Sequence, residues 1–209
     1  MSNRHGYIGT VGHTQAIKSN SGVFSPNEII DLDSDNVWLN AGQLELIETQ
    51  SVTSSTASVI FSDIKQNEYD THFATWNNFQ GSTHNRRLIL RFYEEGVEES
   101  ASVYESAYQG CRTDGFGANQ TTGEDSIFLS INTSTAASQS DSGYVYIYNA
   151  GDGSKYTYTT SHSTGMYQNG PSYSSYFGGG ILPQASVVDK FNYQLTKKKM
   201  KVLNYFINN

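Results

Sequence analysis

The chain has 209 residues, enough to bury a substantial core in one large domain but too few for two full domains. Thirteen Lys and Arg against twenty Asp and Glu give a formal charge of −7, the wrong sign for neutralising phosphates, so direct nucleic-acid binding is not expected. Hydrophobic residues make up 36% and charged residues 16%, with three prolines and fifteen tyrosines, which is a palette of strands and turns and excludes a helical bundle.

At the N-terminus, "MSNRHGYIGTVGHTQ" has no apolar run of signal-peptide length, and no later segment approaches a membrane span, so neither conventional export nor membrane insertion is expected. Residues 1–42 are polar and glycine-punctuated, with isolated apolar side chains such as Tyr7, Ile8, Val23, Phe24 and Trp38 and no helix or strand period. Such a segment cannot build its own core. It reads as a tail or, given its scattered aromatics, as an extended arm that anchors on a partner. Asp31, Asp33 and Asp35 in "DLDSDN" match the first half of a calcium loop. Asn36 occupies the place of the turn glycine and Gly42 that of the bidentate glutamate, so an acidic turn is the better reading.

From Gln43 onward about ten strand signals recur, separated by Ser/Thr or glycine-rich turns: "QLELIETQSV", "TASVIFSDI", "YDTHFATWNNF", "RLILRFYEE", "SIFLSI", "GYVYIYNA", "KYTYTTSH", "YSSYFGGGIL", "VVDKFNYQL" and "MKVLNYFIN". They predict an all-β domain over 43–209, a sandwich or a barrel. One stretch, "EESASVYESAYQG" at 98–110, puts Ala101, Tyr104, Ala107 and Tyr108 at helical spacing, although an edge strand fits its Val and Tyr content equally.

Candidates for chemistry are few. Glu94, Glu95, Glu98 and Glu99 flank Gly96, where two carboxylates could act on a glycosidic bond if they faced a cleft, but a solvated hairpin is the plainer expectation. His5, His13, His72, His84 and His162 show no metal-ligand spacing, and Cys111 is the single cysteine, so no metal, cofactor or intrachain disulfide is expected. Asn119 and Asn132 match the glycan-acceptor pattern without an export signal, and Lys197–Lys201 reads as a basic turn.

The tyrosines are the strongest functional signal. Tyr144, Tyr146 and Tyr148 alternate with Val145 and Ile147, Asp152-Gly153 marks a tight hairpin turn, and Tyr156 and Tyr158 alternate with threonines on the return strand. Tyr167, Tyr173, Tyr176 and Phe177 follow. Both faces of the hairpin read as half buried, so the tyrosines are expected to wall a contact between sheets or subunits, with a ligand face as the rival.

The run "GQLELIETQSVTSSTASVIFSDIKQNEYDTHFATWNNFQ", then "RLILRFYEEGVEESASVYESAYQG" and "GGGILPQASVVDKFNYQLTKKKMKVLNYFI", resembles virion structural proteins of tailed bacteriophages of the marine and cyanobacterial type. The resemblance is carried by "LI-x-TQ-x-V-x-S", "YD-x-H", "G-x-x-E-x-AS-x-Y" and "LPQAS-x-VD", and the leader "GYIGTVGHTQAIKSNSGVFSPNEI" is similar to the N-termini of such proteins. "LTKKKMKV" departs from the small polar turn of the pattern. The resemblance implies a jelly-roll-like β-sandwich, a virion location after assembly in the host cytoplasm, other virion proteins as partners and a homo-oligomer, with trimers favoured. It brings no catalytic residue. Three roles are expected in order: a fibre, collar or capsid decoration module; a host-receptor module for a glycan or surface protein; and a glycan hydrolase of a tail spike.

Overall fold

The structure, a computed structural model, describes residues 26–27, 30, 45–84, 86–130, 133–167, 172–195 and 203–208. The chain divides into two compact units, Met1–Gln43 and Leu44–Asn209. Of the first, Pro26, Asn27 and Ile30 are described, in helical conformation.

The second unit is all-β. Its described strands are β1 (Leu46–Val52), β2 (Ser58–Phe61), β3 (Thr71–Phe79), β4 (Leu88–Glu94), β5 (Val97–Glu98), β6 (Tyr104–Arg112), β7 (Gly115–Glu124), β8 (Ile127–Phe128), β9 (Asp141–Tyr148), β10 (Thr157–Tyr167), β11 (Ser172–Leu182), β12 (Val188–Leu195) and β13 (Leu203–Asn208). They form two antiparallel sheets. The large one runs β1-β13-β3-β9-β10-β11-β6-β7, and the small one runs β2-β12-β4-β5 with β8 also paired to β4. The chain switches sheet at each step from β1 to β4 and again from β12 to β13, so that the first and last of these strands lie side by side.

All ten strands expected from the sequence are present, and three features differ. Residues 98–110 hold no helix: β6 runs through Tyr104–Arg112 between β11 and β7, so it is not an edge either. Its alternate residues Tyr104, Ser106 and Gly110 are buried, the period of a strand. The hydroxyl of Tyr104 accepts from the Phe92 backbone N–H at 3.0 Å and donates to the Glu99 carbonyl at 3.1 Å, tying β6 to β4. Second, β7 carries no apolar alternation and was not signalled. Third, Asp152-Gly153 is not a two-residue hairpin turn. An eight-residue loop, 149–156, joins β9 to β10; the left-handed residue is Asn149, φ 63°, and Asp152 caps the loop by accepting from the Ser154 N–H at 2.9 Å and from Lys155 at 2.8 Å. A two-residue turn of the kind that closes a hairpin does occur at Glu95-Gly96, with φ 52° and 79° between β4 and β5.

Both sheets contribute to one core. Phe61, Phe92, Phe191 and Tyr193 come from the small sheet, and Trp76, Val145, Ile147, Tyr104 and Leu182 from the large one. Phe61 stacks on Phe191 at 5.0 Å, and Trp76 meets the edge of Tyr193 across the two sheets at 6.0 Å. Each such buried ring contributes about 1.5–3 kcal/mol. Trp76 fits because position 143 is glycine: a Cβ there would stand 2.4 Å from the indole. The indole N–H donates to Asp141 Oδ1 at 2.8 Å, joining β3 to β9 inside the core.

Burial pushes the Asp141 carboxyl up to about 7, against the Trp76 hydrogen bond that favours its charged form. The unfolded chain loses this proton near 3.8 and the folded chain near 7, so the folded state holds more protons between those values and stability falls as pH rises through that window. His72, buried with Nε2 donating to the Ile64 carbonyl at 2.6 Å, has its pKa lowered by burial and acts in the opposite sense, losing stability as pH falls. Asp141→Asn keeps an acceptor for Trp76 and isolates the carboxyl. Urea midpoints measured from about pH 4 to pH 7 should show the variant gaining steadily on the wild type; a pH-independent difference would mean that Asp141 is ionised in the fold.

Candidate functional site

The tyrosines of β9 do not face the core. Val145 and Ile147 do, and because side chains alternate, Tyr144, Tyr146 and Tyr148 stand on the opposite face of the large sheet. They are therefore not a wall between the two sheets. On β10 the buried positions are Thr157, Thr159, Ser161 and Ser163, which turns Tyr158, Thr160 and His162 outward beside them. Tyr156, just ahead of β10, is exposed in the loop, where its carbonyl accepts from Asn149 Nδ2.

Register assembles the rest of the face. Tyr146 lies opposite Phe73 of β3 and Thr160 of β10, and His162 lies between Tyr144 and Phe177 of β11. The rings touch in sequence: Phe73 to Tyr146 at 4.7 Å, Tyr146 to Tyr148 at 6.2 Å, Tyr144 to Tyr146 at 5.9 Å and Tyr144 to His162 at 5.8 Å. Hydroxyls bind them together: Tyr148 with Thr160 at 3.0 Å, and His162 Nε2 with Ser175 at 2.7 Å. Of the later aromatics, Tyr173 and Phe177 join this face, whereas Tyr176 lies on the other side against Tyr108; the Tyr167 side chain lies outside the described residues.

Two shallow concavities flank Tyr144 and His162. One, about 400 Å³, is lined by Thr75, Asn77, Ser142 and Thr164; the other, about 500 Å³, by Tyr146, Tyr148, Thr160 and Phe177. Gly179, paired with Thr160 and Ala107, adds no side chain to this face. Across β3, β9, β10 and β11 no outward position is Lys, Arg, Asp or Glu, although the chain carries a net −7. Tyr144, Tyr158, Tyr173 and Phe177 are 38–50% exposed and alone leave roughly 400 Å² open, at about 200 Å² per aromatic side chain. That already matches the largest patches of ordinary monomers, which are often functional.

The other sequence candidates disperse. Glu98 accepts from Asn192 at 2.8 Å and Gln194 at 2.6 Å, Glu99 from the Ala101 N–H at 2.7 Å, and Glu94 from Ser186, so these three carboxylates bind neighbouring side chains and backbone of the small sheet and its margin. Asn119 donates to the Tyr108 hydroxyl at 2.7 Å. Among the described residues no group of His, Cys, Asp and Glu could hold a metal ion. Tyr7, Ile8, Val23, Phe24, Trp38, the Asp31–Asp35 run, Asn132 and Lys197–Lys201 lie outside the described residues. Sequence reasoning missed Phe73, Thr160 and His162. Phe73 was legible in principle, because Thr71, Phe73 and Thr75 alternate with His72, Ala74 and Trp76.

No family model, curated protein or solved structure matches this chain.

The two faces differ in what truncation costs. Tyr146→Ala removes neighbour contacts on an open face and should cost no more than about 1.5 kcal/mol in urea unfolding. Phe191→Ala opens a cavity and should cost about 3–5 kcal/mol. Equal losses would show that the tyrosine face is packed inside the folded chain.

Proposed function

We propose that this chain is a non-catalytic structural protein of a tailed-phage virion, anchored through residues 1–42 and projecting its β unit as a fibre, collar or capsid decoration module. The observation that carries the reading is the charge-free aromatic face turned away from the core. Interface centres are depleted in charge and enriched in Tyr, Phe and Met, and this face has that composition. We read the β unit as jelly-roll-like, in that the chain crosses between sheets at each step from β1 to β4 and from β11 to β13 and the first strand pairs with the last, with β6, β7, β10 and β11 widening one sheet. The anchoring role of Tyr7, Ile8, Val23, Phe24 and Trp38 rests on their composition and on the resemblance of the leader.

A second reading, a host-glycan receptor module, draws on the concavity beside Tyr144 and His162. Rings there offer stacking surfaces, and Thr160, His162 and the tyrosine hydroxyls offer hydrogen bonds.

Mass spectrometry of banded particles from the encoding phage should find the chain at a copy number comparable with other structural proteins. Particles assembled with a Tyr144→Ser, Tyr146→Ser, Tyr158→Ser chain, which leaves the core intact, should carry at least tenfold less of it. Absence of the wild-type chain from particles would sink the structural reading. Normal incorporation of the variant with lost adsorption to host cells would transfer the face to the receptor reading.

A further inference from the structure

The described sheets end in strands that are treated very differently. β1 carries Glu48 and a bulge between Leu46 and Glu48; β2 has four residues; β5 and β8, which share the other side of β4, have two each. Short length, charge and bulges are the devices by which edge strands avoid pairing with another chain. β7 carries them only at its last two residues, a bulge at Gly123 (φ 68°) and the charge of Glu124. It runs ten residues, "GFGANQTTGE", without proline or lysine and without a charge before Glu124, and its register with β6 is regular from Gly115 to Thr122.

It is also open. Its residues are exposed along most of their length, with Phe116 79% exposed. Arg112 and Gly115 close the two-residue turn Thr113-Asp114, so strand alternation points the N–H and C=O groups of Phe116, Ala118, Gln120 and Thr122 away from β6.

We propose that β7 is an assembly edge that pairs antiparallel with β7 of a second copy of this chain, joining the two large sheets into one. The strand is its own best complement. A two-fold axis through Asn119 engages all four outward residues of both copies, and no like charges meet from Gly115 to Gly123. A foreign peptide is a poorer occupant, because strand addition selects peptides through pockets for alternate side chains beside the edge, and β7 is exposed on both faces from Phe116 to Gln120. Asp114 and Glu124 come together at the two ends of the paired strands. Arg112 already neutralises Asp114 at 3.1 Å, so added salt strengthens the pairing modestly. The stoichiometry is two, not the three that the resemblance favours. The pairing lies in the plane of the sheet and does not use the aromatic face, so either assignment can fail alone.

Light scattering on the full chain at micromolar concentration tests it. The expected mass is twice the 23.1 kDa of one chain. Gln120→Lys sets a positive charge on each edge and should give the single-chain mass with an unchanged circular dichroism spectrum. Gln120→Pro removes one outward N–H, is tolerated on an edge strand, and should do the same. Mixing Gln120→Lys with Gln120→Glu should restore the doubled mass. A monomeric wild type would overturn the proposal, as would Gln120→Lys and Gln120→Pro chains that keep the wild-type mass.

Discussion

One indole fixes the direction in which half of this molecule faces. Trp76 lies over Gly143, reaches the edge of Tyr193 in the opposite sheet and donates its N–H to Asp141. Because side chains alternate with a period of two, placing Trp76 inward on β3 and Gly143 inward on β9 decides the other positions of β9 and of β3 back to Thr71, while a bulge at Asn78 returns Phe79 to the core. Val145 and Ile147 must then enter the core, and Tyr144, Tyr146 and Tyr148 must leave it. A slip by one residue would bury three phenol hydroxyls without partners and expose two aliphatic side chains, a loss on both sides. The aromatic face is thus a consequence of core packing as much as of its own side chains.

This is why the sequence showed the period of the strands but not their polarity. "YVYIYNA" alternates between tyrosine and aliphatic, and either set could fill a core. On β10 the pattern is inverted relative to the usual expectation: Thr157, Thr159, Ser161 and Ser163 are buried while Tyr158 is 46% exposed. Small hydroxyl residues suit the inner side there because the neighbouring backbone is close. Thr159 Oγ1 accepts from the Gly180 N–H at 2.9 Å and donates to the Gly180 carbonyl at 3.2 Å, and a Cβ on Gly180 would stand 2.8 Å from the Glu105 carbonyl and from Ile127. Hydrophobicity alone could not reveal this, since what selects the residue is the separation of strands that are far apart in sequence.

Where the local signal was wrong, two periods had been confused or no period existed. In 98–110 the spacing of Ala101, Tyr104, Ala107 and Tyr108 fits a helix, yet Tyr104, Ser106, Tyr108 and Gly110 equally share one side of a strand, and pairing on both flanks by β11 and β7 decides between them. β7 has neither period, because an exposed strand at the margin of a sheet has no buried side to record. The turn at Glu95-Gly96, by contrast, was legible, since positive φ there is a local requirement that glycine advertises, although the two-residue β5 that follows it was not.

Unequal width connects these features. Five strands do not cover eight: the inner sides of β10, β11 and β6 are still buried through Thr159, Leu182 and Tyr104, and it is β7, exposed along most of its length, that extends past the small sheet. β7 adds little burial for its ordered backbone and presents an edge uncharged from Gly115 to Gly123, while the aromatic face lies on the outer side of β3, β9, β10 and β11. The two are geometrically independent, because edge pairing acts in the plane of the sheet and face docking acts normal to it. Copies joined through β7 would set two aromatic faces on one continuous sheet. If the Tyr144–Tyr146–Tyr148 ladder binds a target, two ladders on one sheet would engage a repeated target together, and weak contacts at each would multiply rather than add.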